Sequence, residues 1–158
     1  MTRAGPAVYL ALNGALLMLA GLFLGAAMPA VPYPRLMVAA HSAGFTASGL
    51  LSMAAGLLLS SSLCAPHPRA AGVVIWGHVA LWPLSRSEVA AAFWERPRPS
   101  GSPAPKAGAT GGARWQETIV IVCHAVPAIA LMAAWGFLAS GVWEVFRRHR
   151  TLSSEGVG

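Results

Sequence analysis

Apolar residues fall into four long runs along the chain, and short polar or proline-rich stretches separate them. The runs cover about residues 7–28, 36–63, 70–84 and 118–146. A transmembrane helix needs about 20 predominantly apolar residues to cross the hydrocarbon core of a bilayer. The pattern therefore predicts an all-α protein, a four-helix transmembrane bundle that forms a single membrane domain over residues 1–158.

The stretches between the runs predict where each helix ends. Three prolines in residues 29–35 and two in residues 64–69 deny the backbone regular helical hydrogen bonds. The third run is the shortest and contains Pro83, so we expect it to continue as an interfacial stretch over residues 87–94. Residues 95–113 are rich in Pro, Gly, Ser and Ala, which predicts a flexible loop.

Composition supports a membrane location and argues against nucleic acid as a partner. Only 10% of the residues are charged, whereas soluble domains carry about a quarter. The formal net charge is +6, and the basic residues lie mostly between or outside the apolar runs, where they suit phosphate headgroups. Basic residues interleaved with exposed aromatics, as single-strand binders need, are not present. We therefore expect an integral, multi-pass protein of the cell membrane whose partner is the lipid bilayer.

Four spans place both termini on the same side of the membrane. The basic residues divide almost equally between the two sides, so their count does not orient the chain. The C-terminal cluster of Arg147, Arg148 and Arg150 favours the cytoplasm for the termini. Residues 1–27 also fit a signal peptide, but their apolar run is longer than the usual secretory core.

Ionisable side chains within the predicted spans are the candidates for chemistry, because they are expensive at membrane depth. They are His41, His78 and His124, with Glu117 and Glu144 near the ends of the fourth span. The structural alternative for each histidine is an interhelical hydrogen bond worth about 1 kcal/mol. For Glu144, an interfacial charge near the C-terminal arginines is the simpler interpretation.

His41 has the most suggestive neighbours. Gly44, Phe45, Ser48 and Ser52 follow it at helical spacing, which predicts that one helix face carries an imidazole, a gap between small residues and two hydroxyls. We call Gly44, Ser48 and Ser52 the small-residue seam. Such a seam lets helices pack closely, and it could also admit a flat ligand. A neutral imidazole in an apolar bundle is a common axial ligand of haem iron.

Three stretches, in this order, carry a resemblance to a known family. They are Y-P-R-L-M-V-A-A-H-S-A-G at residues 33–44, W-G-H-V-A-L-W at residues 76–82 and W-Q-E at residues 115–117. Together they resemble the hydroxylaminobenzene mutase family, which is related to the styrene oxide isomerases. The similarity also includes N-G-A-L-L-M-L-A-G-L-F-L-G at residues 13–25, where the family usually begins with His-Gly.

The resemblance implies a small four-helix membrane isomerase that acts as a homo-oligomer, with a trimer as the expected form. In the styrene oxide isomerases ferric haem b acts as a Lewis acid, held by the His of an A-H-S motif that falls on His41 here. The implied substrate is a small apolar aryl compound. An aryl hydroxylamine would become an aminophenol, or an epoxide would become an aldehyde.

The sequence departs from the family pattern at several positions. Relatives carry Asn where Ala47 and Leu81 stand here, and the styrene oxide isomerases have a catalytic Tyr in place of Trp82 and an Asp in place of Val74. Asn13 replaces the first-helix His. The position of the iron ligand is thus retained, while the polar groups around the substrate differ.

The leading hypothesis is therefore a haem-dependent mutase or isomerase. Its metal ligand is His41, its cofactor-binding residues also include Gly44 and Phe45, and its candidate catalytic residues are Asn13, Ser48, His78 and Trp82. Trp76, Trp82 and Phe45 would line the aryl pocket. Two alternatives stay open, a b-type cytochrome with two axial histidines that only transfers electrons, and a non-catalytic membrane bundle.

Overall fold

The computed structural model describes residues 4–64, 70–93 and 113–155. These residues form helices joined by short turns, with no strand among them, so the predicted all-α bundle is confirmed. The expected flexible loop, apart from Ala113, and most of the expected turn at residues 64–69 lie outside the described residues.

The first two spanning helices are joined by a tight turn. Helix α1 covers Ala4–Ala27 and is followed by a short 3₁₀ turn, Met28–Ala30. The second spanning helix consists of α2 (Pro34–Ala39), a π-helical segment (Ala40–Ala47) and α3 (Ser48–Ser60). Pro34 suits the first position of this helix because its missing N–H would have no intrahelical partner there.

The third pass is a broken helix, made of α4 (Ala70–Val79) and α5 (Leu81–Phe93). Pro83 explains the break at Ala80, because proline has no N–H to donate to the Val79 carbonyl and its ring crowds that group. The sequence interpretation ended this span at residue 84. The structure instead continues it as helix through the stretch that was expected to be interfacial.

Helix α6 covers Arg114–Glu155 and has 42 residues. At 1.5 Å per residue it is about 63 Å long, whereas the hydrocarbon core is about 30 Å thick. The apolar run predicted for residues 118–146 lies inside it, so the helix extends beyond the predicted span at both ends. Glu117 lies in its first turn, where negative charge is favourable.

Three helices are long and apolar enough to cross a membrane. They are Gly5–Ala30, Pro34–Ser60 and Arg114–Thr151. The broken helix α4–α5 runs antiparallel to α6, since Gly77 packs against Ala130 near one end and Glu88 contacts His124 near the other.

Glycines bring α1 and α3 into close antiparallel contact. A Cβ added at Gly14 would lie 2.5 Å from the Gly49 carbonyl oxygen, and one added at Gly56 would lie 2.8 Å from the Ala7 carbonyl oxygen. The backbones can approach this far only because these positions lack side chains. Outward faces of α1 and α6 carry many large apolar side chains, including Phe23 and Ile129. Such faces suit lipid contact.

Candidate functional site

A buried polar network joins three helices near the middle of the bundle. The Asn13 amide on α1 donates to Ser52 Oγ at 3.0 Å and to the His78 carbonyl at 3.5 Å. Trp82 Nε1 donates to Asn13 Oδ1 at 2.9 Å, and Ser52 Oγ donates to the Leu10 carbonyl at 3.0 Å. We call Asn13, Ser52 and Trp82 the central network. Its polar atoms have partners within the chain, and it therefore fastens α1, α3 and α5 together.

His78 adjoins this network but is closed off from the surroundings. Its side chain is fully buried, and Nδ1 lies 2.7 Å from the Val74 carbonyl, so Nδ1 carries the proton and donates it. Nε2 is also buried and makes no hydrogen bond of good geometry with the described residues, although the Leu51 carbonyl lies close to the ring. A substrate could reach this nitrogen only if the helices separated.

His41 lies in the π-helical segment and faces α1. Its Nδ1 is 2.7 Å from the Gly21 carbonyl oxygen, and its ring rests against Gly25, where an added Cβ would lie 3.1 Å from Cε1. Thr46 Oγ1 donates to the His41 carbonyl at 2.8 Å, as suits the wider turn of a π-helix. The half-buried ring thus uses Nδ1 to hold its orientation and leaves Nε2 without a hydrogen bond to the described residues.

Gly44 does not share the face of His41, and Phe45 lies between α1 and α5, with its Cβ against Gly21. The Ser85 hydroxyl shares its proton between the carbonyls of Gly44 at 2.6 Å and Leu81 at 2.8 Å. Phe45 packs edge-on against Trp82, with ring centroids 6.0 Å apart. The single face predicted for the imidazole and the small residues is therefore divided, with His41 against α1 and Gly44 against α5. Ser48 is buried, and Ser52 belongs to the central network.

The structure also shows how far Trp76 and the substituted positions Ala47, Leu81 and Val74 are buried. Trp76, expected in an aryl pocket, is 72% exposed and points away from the bundle. Ala47 is exposed as well, so an Asn at that position would face outward. Leu81 and Val74 are buried in the apolar core. Of the residues proposed for an aryl pocket, only Phe45 and Trp82 meet.

The candidate residues form two groups along the axis of α1. His41 contacts α1 at Gly21 and Gly25, whereas the central network contacts it at Asn13, eight positions earlier. At 1.5 Å per residue that separation is about 12 Å. The structure therefore brings Asn13, His78 and Trp82 together and leaves His41 apart from them.

A further ionisable pair lies at the depth of His41 and was missed from sequence. Glu88 Oε1 on α5 is 3.3 Å from His124 Nε2 on α6, while His124 Nδ1 donates to the Val120 carbonyl at 2.7 Å. Because Nδ1 already carries a proton, the contact with Glu88 holds one more, shared between Nε2 and Oε1. The second carboxyl oxygen, Oε2, is buried beside Gly44 and has no partner among the described residues.

Glu88 is recognisable from the sequence as a candidate functional residue only if the third span is extended beyond residue 84. An acidic residue within a transmembrane helix is a functional candidate by default. Because the third span was ended at residue 84, Glu88 was assigned to an interfacial stretch and not considered. Pro83 had suggested that end, but the helix resumes directly after the break.

Within the described ranges, no group of three His, Cys, Asp or Glu side chains is placed to hold a metal ion. Haem needs only one or two axial side chains, and of His41, His78 and His124 only His41 is half-buried with a ring nitrogen that makes no hydrogen bond to the described residues. No family model, curated protein or solved structure matches the chain.

Proposed function

We propose that the chain is a multi-pass protein of the cell membrane that binds haem b through His41 and isomerises a small apolar aryl substrate. One observation carries the proposal, the hydrogen bond of 2.7 Å between His41 Nδ1 and the Gly21 carbonyl. Metal-bound histidines almost always donate their other ring nitrogen to such an acceptor, which fixes the tautomer and raises ligand basicity. The resemblance to the mutases and isomerases supplies the reaction class.

The described residues offer haem b an iron ligand in His41, but they provide less of the surface that would pack against the porphyrin. Gly25 allows the ring to lie flat on α1, and the half-buried position leaves Nε2 open. Gly44 and Phe45 already pack against α5, so the surface of a bound porphyrin would have to come from elsewhere. Bound iron would supply a Lewis acid that polarises a substrate oxygen without net redox change. The chain itself orients the imidazole through the Gly21 carbonyl.

Bis-histidine ligation, as in a b-type cytochrome, is less well supported. Both ring nitrogens of His124 already have partners, and His78 is sealed in the core. Either histidine would have to abandon its present contacts to reach a second axial position. The central network instead favours the third hypothesis, a non-catalytic bundle, because Asn13, Ser52 and Trp82 are fully used in joining helices.

A homo-oligomer, with a trimer as the expected form, belongs to the same proposal, but the small-residue seam does not support it. Gly44 packs on α5 and Ser52 on α1 within one chain. Copies would have to meet through outward apolar faces, such as that of α6.

The test is haem retention by the full chain purified in mild detergent with added haemin. We expect wild type and His124→Ala to bind haem and His41→Ala to lose it, because both ring nitrogens of His124 have partners, whereas Nε2 of His41 makes no hydrogen bond to the described residues. Absorption spectra distinguish one open axial position from a bis-His site, and native mass spectrometry of the same sample counts the copies. Equal occupancy in wild type and His41→Ala would refute the assignment. Wild type without haem would favour the non-catalytic bundle.

A further inference from the structure

An apolar groove runs along the surface between α3 and the C-terminal half of α6. Its volume is about 480 Å³. The lining side chains are apolar, apart from the indole nitrogens of the tryptophans, and they comprise Leu58 on α3 and Trp135, Leu138, Val142, Trp143 and Phe146 on α6. The groove lies on the side of the bundle that carries both chain ends. It belongs to neither the His41 site nor the central network.

The groove has the length of one leaflet of a bilayer. Its α6 residues run from Trp135 to Phe146 at spacings of three and four, which places them on one stripe of the helix. Eleven steps of 1.5 Å give about 16 Å, and half of a hydrocarbon core of about 30 Å is about 15 Å. An extended acyl chain of that leaflet therefore matches the groove from end to end.

Positive charge follows immediately at the outer end of the groove. The Arg150 guanidinium lies 5.8 Å from the centre of the Phe146 ring, which itself lines the groove. Arg148 is engaged by Glu144 at 3.0 Å. Arg147 and Arg150 have no carboxylate partner among the described residues. Arg150 thus adjoins the groove, and Arg147 directly follows the groove residue Phe146 in sequence.

We propose that the groove, together with Arg147 and Arg150, binds an anionic phospholipid. The acyl chain lies against the apolar lining, and the phosphate accepts hydrogen bonds from the guanidinium groups, whose planar fork suits phosphate oxygens. The positive charge beside the groove favours an anionic lipid over a second copy of the chain as the occupant. A second copy that packed symmetrically on this face would bring two arginine clusters together, whereas an anionic lipid neutralises one.

The experiment is native mass spectrometry of the full chain after exchange into detergent with equal amounts of phosphatidylglycerol and phosphatidylcholine of the same acyl chains. We expect wild type to retain phosphatidylglycerol at least about fivefold over phosphatidylcholine. The double variant Arg147→Gln/Arg150→Gln should lose most of that preference. Arg114→Gln removes one positive charge at the other end of α6, and each of the single variants Arg147→Gln and Arg150→Gln removes one at the groove, so Arg114→Gln should leave the preference unchanged while either single variant lowers it.

A second variant separates the groove from the charges. Ala139 is exposed and also lines the groove, so Ala139→Trp fills the space without disturbing the core, and we expect it to reduce retention of both lipids. Equal retention of the two lipids by wild type, or an unchanged preference in the double variant, would overturn the proposal. A dimer that Ala139→Trp abolishes would assign the groove to a second copy instead.

Discussion

Asn13 connects more of the fold than any other described side chain, because its amide reaches partners on three segments. It donates to Ser52 and to the His78 carbonyl, and it accepts from Trp82. A single buried amide thus holds α1 against both the second spanning helix and the broken helix.

The Asn13–Trp82 contact should be measurable as a coupling free energy. Asn13→Leu removes the acceptor, and Trp82→Phe removes the donor, so each leaves a buried polar atom unpaired at a cost of about 1–3 kcal/mol in unfolding free energy. The double variant should lose less than the sum, with a coupling of about 1 kcal/mol. Unfolding in mixed micelles followed by circular dichroism measures it. Strictly additive effects would show that the contact contributes nothing.

At the scale of helices, close approach is achieved by small residues at specific crossings. Gly14 and Gly49 allow α1 and α3 to approach closely, and Gly77 allows the same between α4 and α6. Gly77 packs directly on the α6 backbone, where an added Cβ would lie 2.8 Å from the Ala130 carbonyl oxygen. Gly72, on the same helix, has no atom within 4 Å of such a Cβ among the described residues.

This difference gives a matched pair of substitutions on α4. Gly77→Ala should destabilise the protein by about 1–3 kcal/mol, because the obstructing atoms are a backbone carbonyl and the Ala134 Cβ, which cannot rotate away. Gly72→Ala should be neutral or stabilise by up to about 1 kcal/mol through helix propensity. Thermal unfolding of both variants in the same detergent compares them. Similar losses for the two would mean that the α4–α6 contact is looser than described.

The apolar helices were predictable because length and apolar content define them, but Pro83 accompanies a break at Ala80 and does not end the third helix at residue 84. The site was less predictable, for a geometric reason. The shared face of His41 and Gly44 was inferred from regular α-helical spacing, but the segment is a π-helix, whose wider turn changes the angular positions of successive residues. The local composition of residues 40–47 gives no indication that this segment forms a π-helix. The pairing of Glu88 with His124 depends on helix packing and was equally invisible.

For the whole molecule, polar groups form two layers. The central network with His78 occupies the middle, and His41 lies with Ser85, Glu88 and His124 in a second layer, toward the side where α5 ends and α6 begins. We expect an even number of membrane crossings, because α4–α5 runs antiparallel to α6. Cys64, just after α3, lies 3.7 Å from the Leu138 carbonyl, which places the end of α3 beside the C-terminal half of α6.

The topology predicts that both chain ends lie on one side. Single cysteines at Gly5, Ala113 and Thr151, in a background without Cys64 and Cys123, would be labelled with a membrane-impermeant maleimide in intact cells. With cytoplasmic termini, we expect labelling at Ala113→Cys alone, and labelling of the other two only after lysis. Labelling of just one of Gly5→Cys and Thr151→Cys would show that α4–α5 does not cross. The reverse pattern would keep the topology and invert the orientation.

The glycine contacts between α1 and α3 also bear on the order of assembly during synthesis. Every contact of that hairpin lies within the first 60 residues, so it can close before α4 has left the ribosome. At that stage Asn13 has Ser52 as a partner, but neither Trp82 nor the His78 carbonyl has emerged from the ribosome. The hairpin of α1 and α3 thus enters the lipid with Asn13 Oδ1 unpaired until Trp82 of the third helix donates to it. This hydrogen bond favours association with the third helix over association with a purely apolar helix.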